Sequence, residues 1–220
     1  ESILITGIPT RDDFRRAYDR PSVREQLELP QDRRIVLALA GAYPPRPYVH
    51  FRTALDKLLP YLHGFDDTLH FVFVAGSDAD YARHLRQECD DLGLSNATVL
   101  DYVDDMAALM AASDLVICKS GGLTVTECLC AQVPMILLGK AYGQEKVNVQ
   151  MLTSLGAAMH VTTARELLDT LRHGARNPES AHAMLINGSF LRHPNAAEDI
   201  ANATLRLIAA PKNPDDPRYR

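Results

Sequence analysis

Short apolar runs alternate with stretches of helical periodicity along almost the whole chain, and that alternation restricts the fold more than any other feature. Candidate strands fall at 3–6, 35–40, 69–74, 98–100, 115–118, 135–138 and 158–161. Candidate helices fall between and after them, at 22–27, 49–62, 79–92, 106–112, 123–131, 146–155, 164–171 and 196–209. Strands that take turns with helices predict βαβ units, hence an α/β, Rossmann-like, doubly wound parallel sheet. At 220 residues and 46% hydrophobic composition, the chain is long enough to bury one full core.

In such a sheet, ligands bind at the carboxyl ends of the strands, so the loops that follow strands carry the functional information. The most informative is Cys118-Lys119-Ser120-Gly121-Gly122-Leu123-Thr124-Val125-Thr126-Glu127. The apolar run 115–118 reads as a buried strand, breaks at Ser-Gly-Gly, and gives way to a helical pattern. A glycine turn between a strand end and a helix start turns backbone N–H groups and the helix dipole toward an anion. The loop Gly139-Lys140-Ala141-Tyr142-Gly143-Gln144-Glu145 follows the next apolar run and belongs to the same edge. Together the two loops predict a holder for a nucleotide diphosphate.

Charge and composition exclude other classes. The net charge is −5 with no basic run, which gives no electrostatic footprint for nucleic acid. Of 18 Arg and 5 Lys, no Arg lies between Gln87 and Ala164, whereas Lys119, Lys140 and Lys146 fall in that window beside the two loops. Cys89, Cys118, Cys128 and Cys130 show no C-x-x-C pair and no histidine cluster at zinc spacing, and read as core residues of a reducing, cytoplasmic compartment. No apolar run is long enough to span a membrane, and no signal peptide opens the chain. The start at Glu1, followed at once by an apolar run, reads as a piece of a longer protein.

The segment Gly41-Ala42-Tyr43-Pro44-Pro45-Arg46-Pro47-Tyr48 stands where a G-x-G-x-x-G dinucleotide fingerprint would be. It lacks that fingerprint, and its prolines have no N–H to offer a phosphate. Asp78-Ala79-Asp80 has the D-x-D form of some metal-binding transferases, but its place before a helix predicts a cap, as for Asp104 and Asp105. The spacing of Thr124 and Glu127 admits two readings. One is a capping box; the other is a carboxylate that accepts both hydroxyls of a ribose. Gln144 and Glu145 likewise read as a solvated turn or as a reader of sugar hydroxyls, with Asn148 four residues on. No histidine pairs with a serine or cysteine as a nucleophile setting would require. On the last helix Ile200, Ala203, Leu207 and Ile208 form one stripe, which predicts docking on an apolar surface.

Tyr102-Val103-Asp104-Asp105-Met106 and the stretch from Ser113 to Glu127 resemble the donor domain of the GlcNAc transferase that makes lipid II. Gly143-Gln144-Glu145 with Asn148 is similar to the monogalactosyldiacylglycerol synthases and bacterial diacylglycerol glucosyltransferases. Thr6-Gly7-Ile8-Pro9-Thr10-Arg11 and Pro194-Asn195-Ala196-Ala197 resemble the first and last segments of the C-terminal domain in both groups. The resemblance implies the C-terminal half of a GT-B glycosyltransferase. It divides the chain into an interdomain lead-in at 1–33, a nucleotide-sugar-binding Rossmann-like domain at 34–210, and a disordered tail at 211–220.

By the same resemblance, Val103 binds uracil through its backbone, Met106 lines the base pocket and Glu127 takes the ribose hydroxyls. Ser120, Gly121, Gly122, Leu123 and Thr124 face the diphosphate, with Arg11 reaching toward it. Gln144 and Glu145 read the hexose, and Asn148 supports them. The implied activity is hexosyl transfer with inversion from a UDP-sugar to a lipid acceptor, diacylglycerol-like or polyprenyl-linked. It needs no metal or other cofactor. The acceptor pocket and general base belong to an absent N-terminal domain, and the full enzyme is expected to be cytoplasmic and peripheral on the membrane. The loop Ala42-Tyr43-Pro44-Pro45 departs from the family's glycine-rich loop, which removes one phosphate contact from the expected set. A UDP-sugar epimerase or hydrolase of the same architecture, a separate donor subunit and a noncatalytic nucleotide-binding module are the alternatives.

Overall fold

The computed structural model describes residues 3–41 and 49–209. The proline-rich loop 42–48 and the tail at 211–220, both given expectations from sequence, lie outside the described residues. The strands are β1 (Arg34–Leu39), β2 (Leu69–Val74), β3 (Ala97–Leu100), β4 (Leu115–Cys118), β5 (Met135–Leu138) and β6 (Met159–Val161). They form one parallel sheet in the order β3-β2-β1-β4-β5-β6. The order reverses between β1 and β4, which opens a crevice at their carboxyl ends.

The helices are α1 (Arg20–Gln26), α2 (Val49–Asp56), α3 (Ala79–Asp91), α4 (Met106–Ala112), α5 (Gly122–Cys130), α6 (Gln144–Ser154), α7 (Ala164–Arg176), α8 (Pro178–Gly188) and α9 (Ala196–Ala209). Side chains alternate across a strand, so each strand of a sheet covered on both faces must be apolar throughout. β2 and β5 are buried at every position. Val36, Ala38, Phe71 and Phe73 face one core with α2, α3 and α7. Ile35, Leu37, Val72 and Val116 face the other with α4, α5 and α6. All four cysteines are buried and free, as small core residues.

Several expectations need correction. Residues 3–6 form no strand; Ile3 and Ile5 are 90% and 81% exposed, with no sheet edge beside them. The helix expected at 49–62 stops at Asp56, and a 3-10 helix at Leu59–Phe65 follows, because Pro60 has no N–H to continue an α-helical ladder. α8 went unread because Asn177-Pro178 resembles a breaker, whereas Pro178 sits in the first turn, where its missing N–H costs nothing. The stripe on α9 does not dock among the described residues, since Ala196 is its one buried side chain.

One carboxylate collects several of the bonds that fasten the lead-in segment to the sheet. Asp114 accepts from Arg24 Nη2 at 2.7 Å, from Arg20 Nη1 at 2.6 Å and from the Ile35 N–H at 2.7 Å. Arg24, buried to 7% side-chain exposure, also donates through Nε to the Ala112 carbonyl. Phe14, Val23 and Leu29 are buried with it. Replacing Asp114 by Ala leaves a buried guanidinium without its counter-charge, so urea unfolding should show a loss of about 3 kcal/mol. A loss below about 1 kcal/mol, the range of surface ion pairs, would mean that the segment is only loosely attached.

Candidate functional site

The crevice predicted by the strand order holds a cavity of about 260 Å³. Its floor comes from the ends of β1 and β2, at Leu39, Gly41, Val74 and Gly76. One wall is Tyr102, Val103 and Met106 on the way from β3 into α4; the other is Thr124 and Glu127 on α5. Gly41 and Gly76 make this floor possible. A Cβ on Gly41 would lie 2.9 Å from the Ala75 carbonyl, and Gly76 adopts φ +64° with its own Cβ position 3.3 Å from Gly41 Cα.

Arg52 Nε donates to the Ala40 carbonyl, and Arg52 Nη1 donates to Asp78 at 2.7 Å, so the two strand ends are tied together. Asp78 also accepts the Tyr81 N–H, as a helix cap should, while Asp80 pairs with Arg83 on the surface. The D-x-D pair is therefore engaged in capping and ion pairing. Among the described residues, no cluster of His, Cys, Asp and Glu is placed to hold a metal ion.

α5 begins at Gly122 with Gly121 as its N-cap and no side-chain cap. Its first N–H groups are left to whatever occupies the crevice, beside the positive end of the helix dipole. The capping-box reading of Thr124 and Glu127 fails on this geometry, because Thr124 lies inside the helix rather than at its N-cap. Glu127 points into the cavity from the second turn. Burial pushes its carboxyl above the usual carboxylate range, opposed by the Arg11 guanidinium nearby. Arg11 does not stand apart as a phosphate clamp. Its Nη1 donates 2.9 Å to the Asp104 carbonyl, so it braces the Val103–Met106 wall while sitting near Glu127.

The second loop closes on the first. Gly143, at φ +53°, is the N-cap of α6, which brings Gln144 and Glu145 into its first turn. Asn148 Nδ2 donates to the Ser120 carbonyl at 2.8 Å, so its amide holds the loop before α5. Lys119 pairs with Glu145 at 3.2 Å, both side chains being under one-third exposed. Lys119 was not singled out from sequence as a site residue, although its position directly after β4 placed it at the ligand edge. His160 Nε2 lies 2.8 Å from the Gly139 carbonyl and steadies the start of the loop. Gln144 is exposed. Val103, Met106, Thr124 and Glu127 thus share one cavity; Ser120 to Leu123 and Gln144 to Asn148 lie outside its lining, on the two neighbouring loops that the Asn148 bond and the Lys119–Glu145 pair join.

The chain is similar to known proteins. The description "Glycosyltransferase family 28 C-terminal domain" matches residues 52–201. A processive diacylglycerol beta-glucosyltransferase of Bacillus subtilis is 28% identical over 93% of this chain and 52% of its own length. A UDP-N-acetylglucosamine–N-acetylmuramyl-(pentapeptide) pyrophosphoryl-undecaprenol N-acetylglucosamine transferase of Myxococcus xanthus is 26% identical over 98% of this chain and 55% of its own. The chain therefore spans about half the length of the curated relatives it matches. The crystal structure of Anabaena HepE in complex with UDP-glucose superposes with a TM-score of 0.64 at 17% identity, covering 91% of this chain and 56% of that one. The fold is that of GT-B glycosyltransferase C-terminal domains. The chain belongs to the glycosyltransferase family 28 C-terminal domain family.

Proposed function

We propose that the chain is the donor half of an inverting hexosyltransferase that takes a UDP-sugar as donor and a membrane lipid as acceptor. The observation that carries this reading is Glu127, an acceptor-only group that lines a cavity one turn along α5 from a helix start with no side-chain cap. A carboxylate there can take both ribose hydroxyls, and the N–H groups of Gly122 to Thr124 can take the diphosphate. The base rests between Val103 and Met106, and the hexose extends toward Gln144 and Glu145. The names of the relatives, transferases that act on diacylglycerol or an undecaprenol-linked substrate, support a lipid acceptor. The UDP-glucose complex of HepE supports the donor class.

In this scheme the acceptor hydroxyl loses its proton to a base on the other half of the enzyme and attacks the anomeric carbon. This chain stabilises the departing UDP through fixed backbone dipoles at Ser120 to Leu123, aimed where negative charge develops. Arg11 and Lys119 lie close enough to contribute positive potential. Exposed apolar residues mark the surface for the missing half: Ile3, Leu4 and Ile5 in the lead-in, and Leu205, Leu207 and Ile208 on α9. Exposed apolar groups on this scale are typical of faces that meet a partner. No described helix is long and apolar enough to cross a membrane. Contact with the lipid acceptor is assigned to the full enzyme, peripheral at the cytoplasmic face.

Glu127→Ala should weaken UDP binding by about 1.5–3 kcal/mol in calorimetry, the loss expected for hydrogen bonds to a charged group. Glu127→Gln should weaken binding too, yet raise the melting point at neutral pH. Burial raises the carboxyl pKa in the folded state, so ionisation at pH 7 costs stability that a neutral amide does not lose. A lower melting point for Glu127→Gln with unchanged UDP affinity would make the residue purely structural.

Gln144→Ala should leave UDP affinity intact and remove the extra affinity of the matching UDP-hexose. Equal losses for UDP and UDP-hexose would place the side chain on the nucleotide instead.

With radiolabelled UDP-hexose and a diacylglycerol or polyprenyl acceptor, the chain alone should bind donor and transfer nothing, since positioning both substrates supplies much of the rate. Turnover by the chain alone would overturn the assignment of the base to another domain. Failure to bind UDP at all would overturn the donor reading itself.

A further inference from the structure

A groove larger than the donor cavity lies on the opposite face of the sheet, between α2 and α7. It encloses about 690 Å³, a volume suited to a small-molecule ligand. Its floor is apolar, made of Ala54 and Leu168, which belong to the core on that face. Its walls are cationic: Lys57 just past α2, Arg165 and Arg172 on α7, and Lys140 after β5. Among the described residues Asp169 is the only acid in the lining, while Glu166 accepts from the lining residue Thr162. Asp169 lies 3.9 Å from Arg172, with the two side chains 64% and 53% exposed. Such a solvated pair neutralises little. Lys57, Lys140 and Arg165 have no ion pair or side-chain hydrogen bond among the described residues.

Four positive charges around one concavity repel one another, and low-dielectric walls focus their potential into it. A chain of net charge −5 has no general excess of cations to distribute there. Guanidinium and ammonium groups match phosphate oxygens in charge and hydrogen-bonding geometry. Arg172 lies seven residues beyond Arg165, about two helical turns, so the charges are spread along α7 at the groove's exposed margin. The apolar floor suits the uncharged body of a ligand whose phosphate meets the walls. We propose that the α2–α7 groove is a second ligand site, separate from the donor cavity, for a small soluble phosphate ester or diphosphate.

The test is calorimetric titration of the chain with inorganic pyrophosphate while UDP is held at saturation, so that the donor cavity is filled. Binding should persist under UDP. It should weaken about tenfold or more in the double variant Lys57→Glu with Arg165→Glu, as expected when charged hydrogen bonds are lost. Both residues are exposed, and unchanged UDP affinity in the variant confirms that it is folded. Glu127→Ala should leave pyrophosphate binding unaltered. Lys140 is kept intact because it belongs to the loop assigned to the hexose. The proposal is overturned if the UDP-saturated chain takes up no pyrophosphate, or if the charge reversals leave binding unchanged. Binding to phosphatidylglycerol vesicles without binding to pyrophosphate would also overturn it, because the groove would then serve a membrane surface. Absent UDP binding would count against the donor reading alone, and the same pyrophosphate titrations without UDP, with circular dichroism as the check that the variant is folded, would then decide the groove.

Discussion

A parallel sheet covered on both faces has no free surface of its own, and every other property of this molecule follows from where that leaves room. Helices seal the two faces, and the strands between them are apolar throughout, as β2 and β5 are. Chemistry is confined to the ends of the strands. The carboxyl ends carry the loops that enter helix N-termini, where unpaired N–H groups accumulate. With the order β3-β2-β1-β4-β5-β6, the helices on either side of β1 and β4 diverge and leave a crevice. The cavity beside Glu127 lies there, at the divergence of the helices.

Within the crevice, the polar groups work in pairs rather than singly. Glu127 is buried enough to resist ionisation, and Arg11 offsets that resistance while its hydrogen bond fixes the Asp104 carbonyl. The same guanidinium therefore supports the wall assigned to the base and the carboxylate assigned to the ribose. Arg52 has a comparable position behind the floor, where it joins Ala40 to Asp78 and stacks 4.1 Å from the Tyr81 ring. The close approach of Gly41 and Gly76 depends on that tie.

The core was legible in the sequence because burial on both faces turns strands into uninterrupted apolar runs: 69–74, 115–118 and 135–138 match β2, β4 and β5 residue for residue. Residues 3–6 have the same composition and no neighbour to pair with, a tertiary fact that composition cannot carry. α8 was hidden by Pro178, whose meaning depends on which side of a helix start it falls. The strand–glycine–helix signal located the turn between β4 and α5. It could not show that Thr124 lies within α5, the fact that removes the capping-box reading of Glu127. Lys119 was visible only as one of three lysines beside the two loops; its partner Glu145, 26 positions away, meets it across the loop, which spacing does not show.

The bond from Asn148 to the Ser120 carbonyl and the Lys119–Glu145 pair stitch the two ligand loops into one piece. Gln144 stands outside the stitching, exposed at the first position of α6. If the donor lies as proposed, this divides the sugar-facing residues into a fixed part and a free part. A change at Glu145 or Asn148 disturbs the seat of the diphosphate along with the reading of the hexose, and so penalises every donor at once. A change at Gln144 alters the reading alone. Divergence in sugar preference among chains built this way then has one inexpensive position, and the architecture itself determines which one it is.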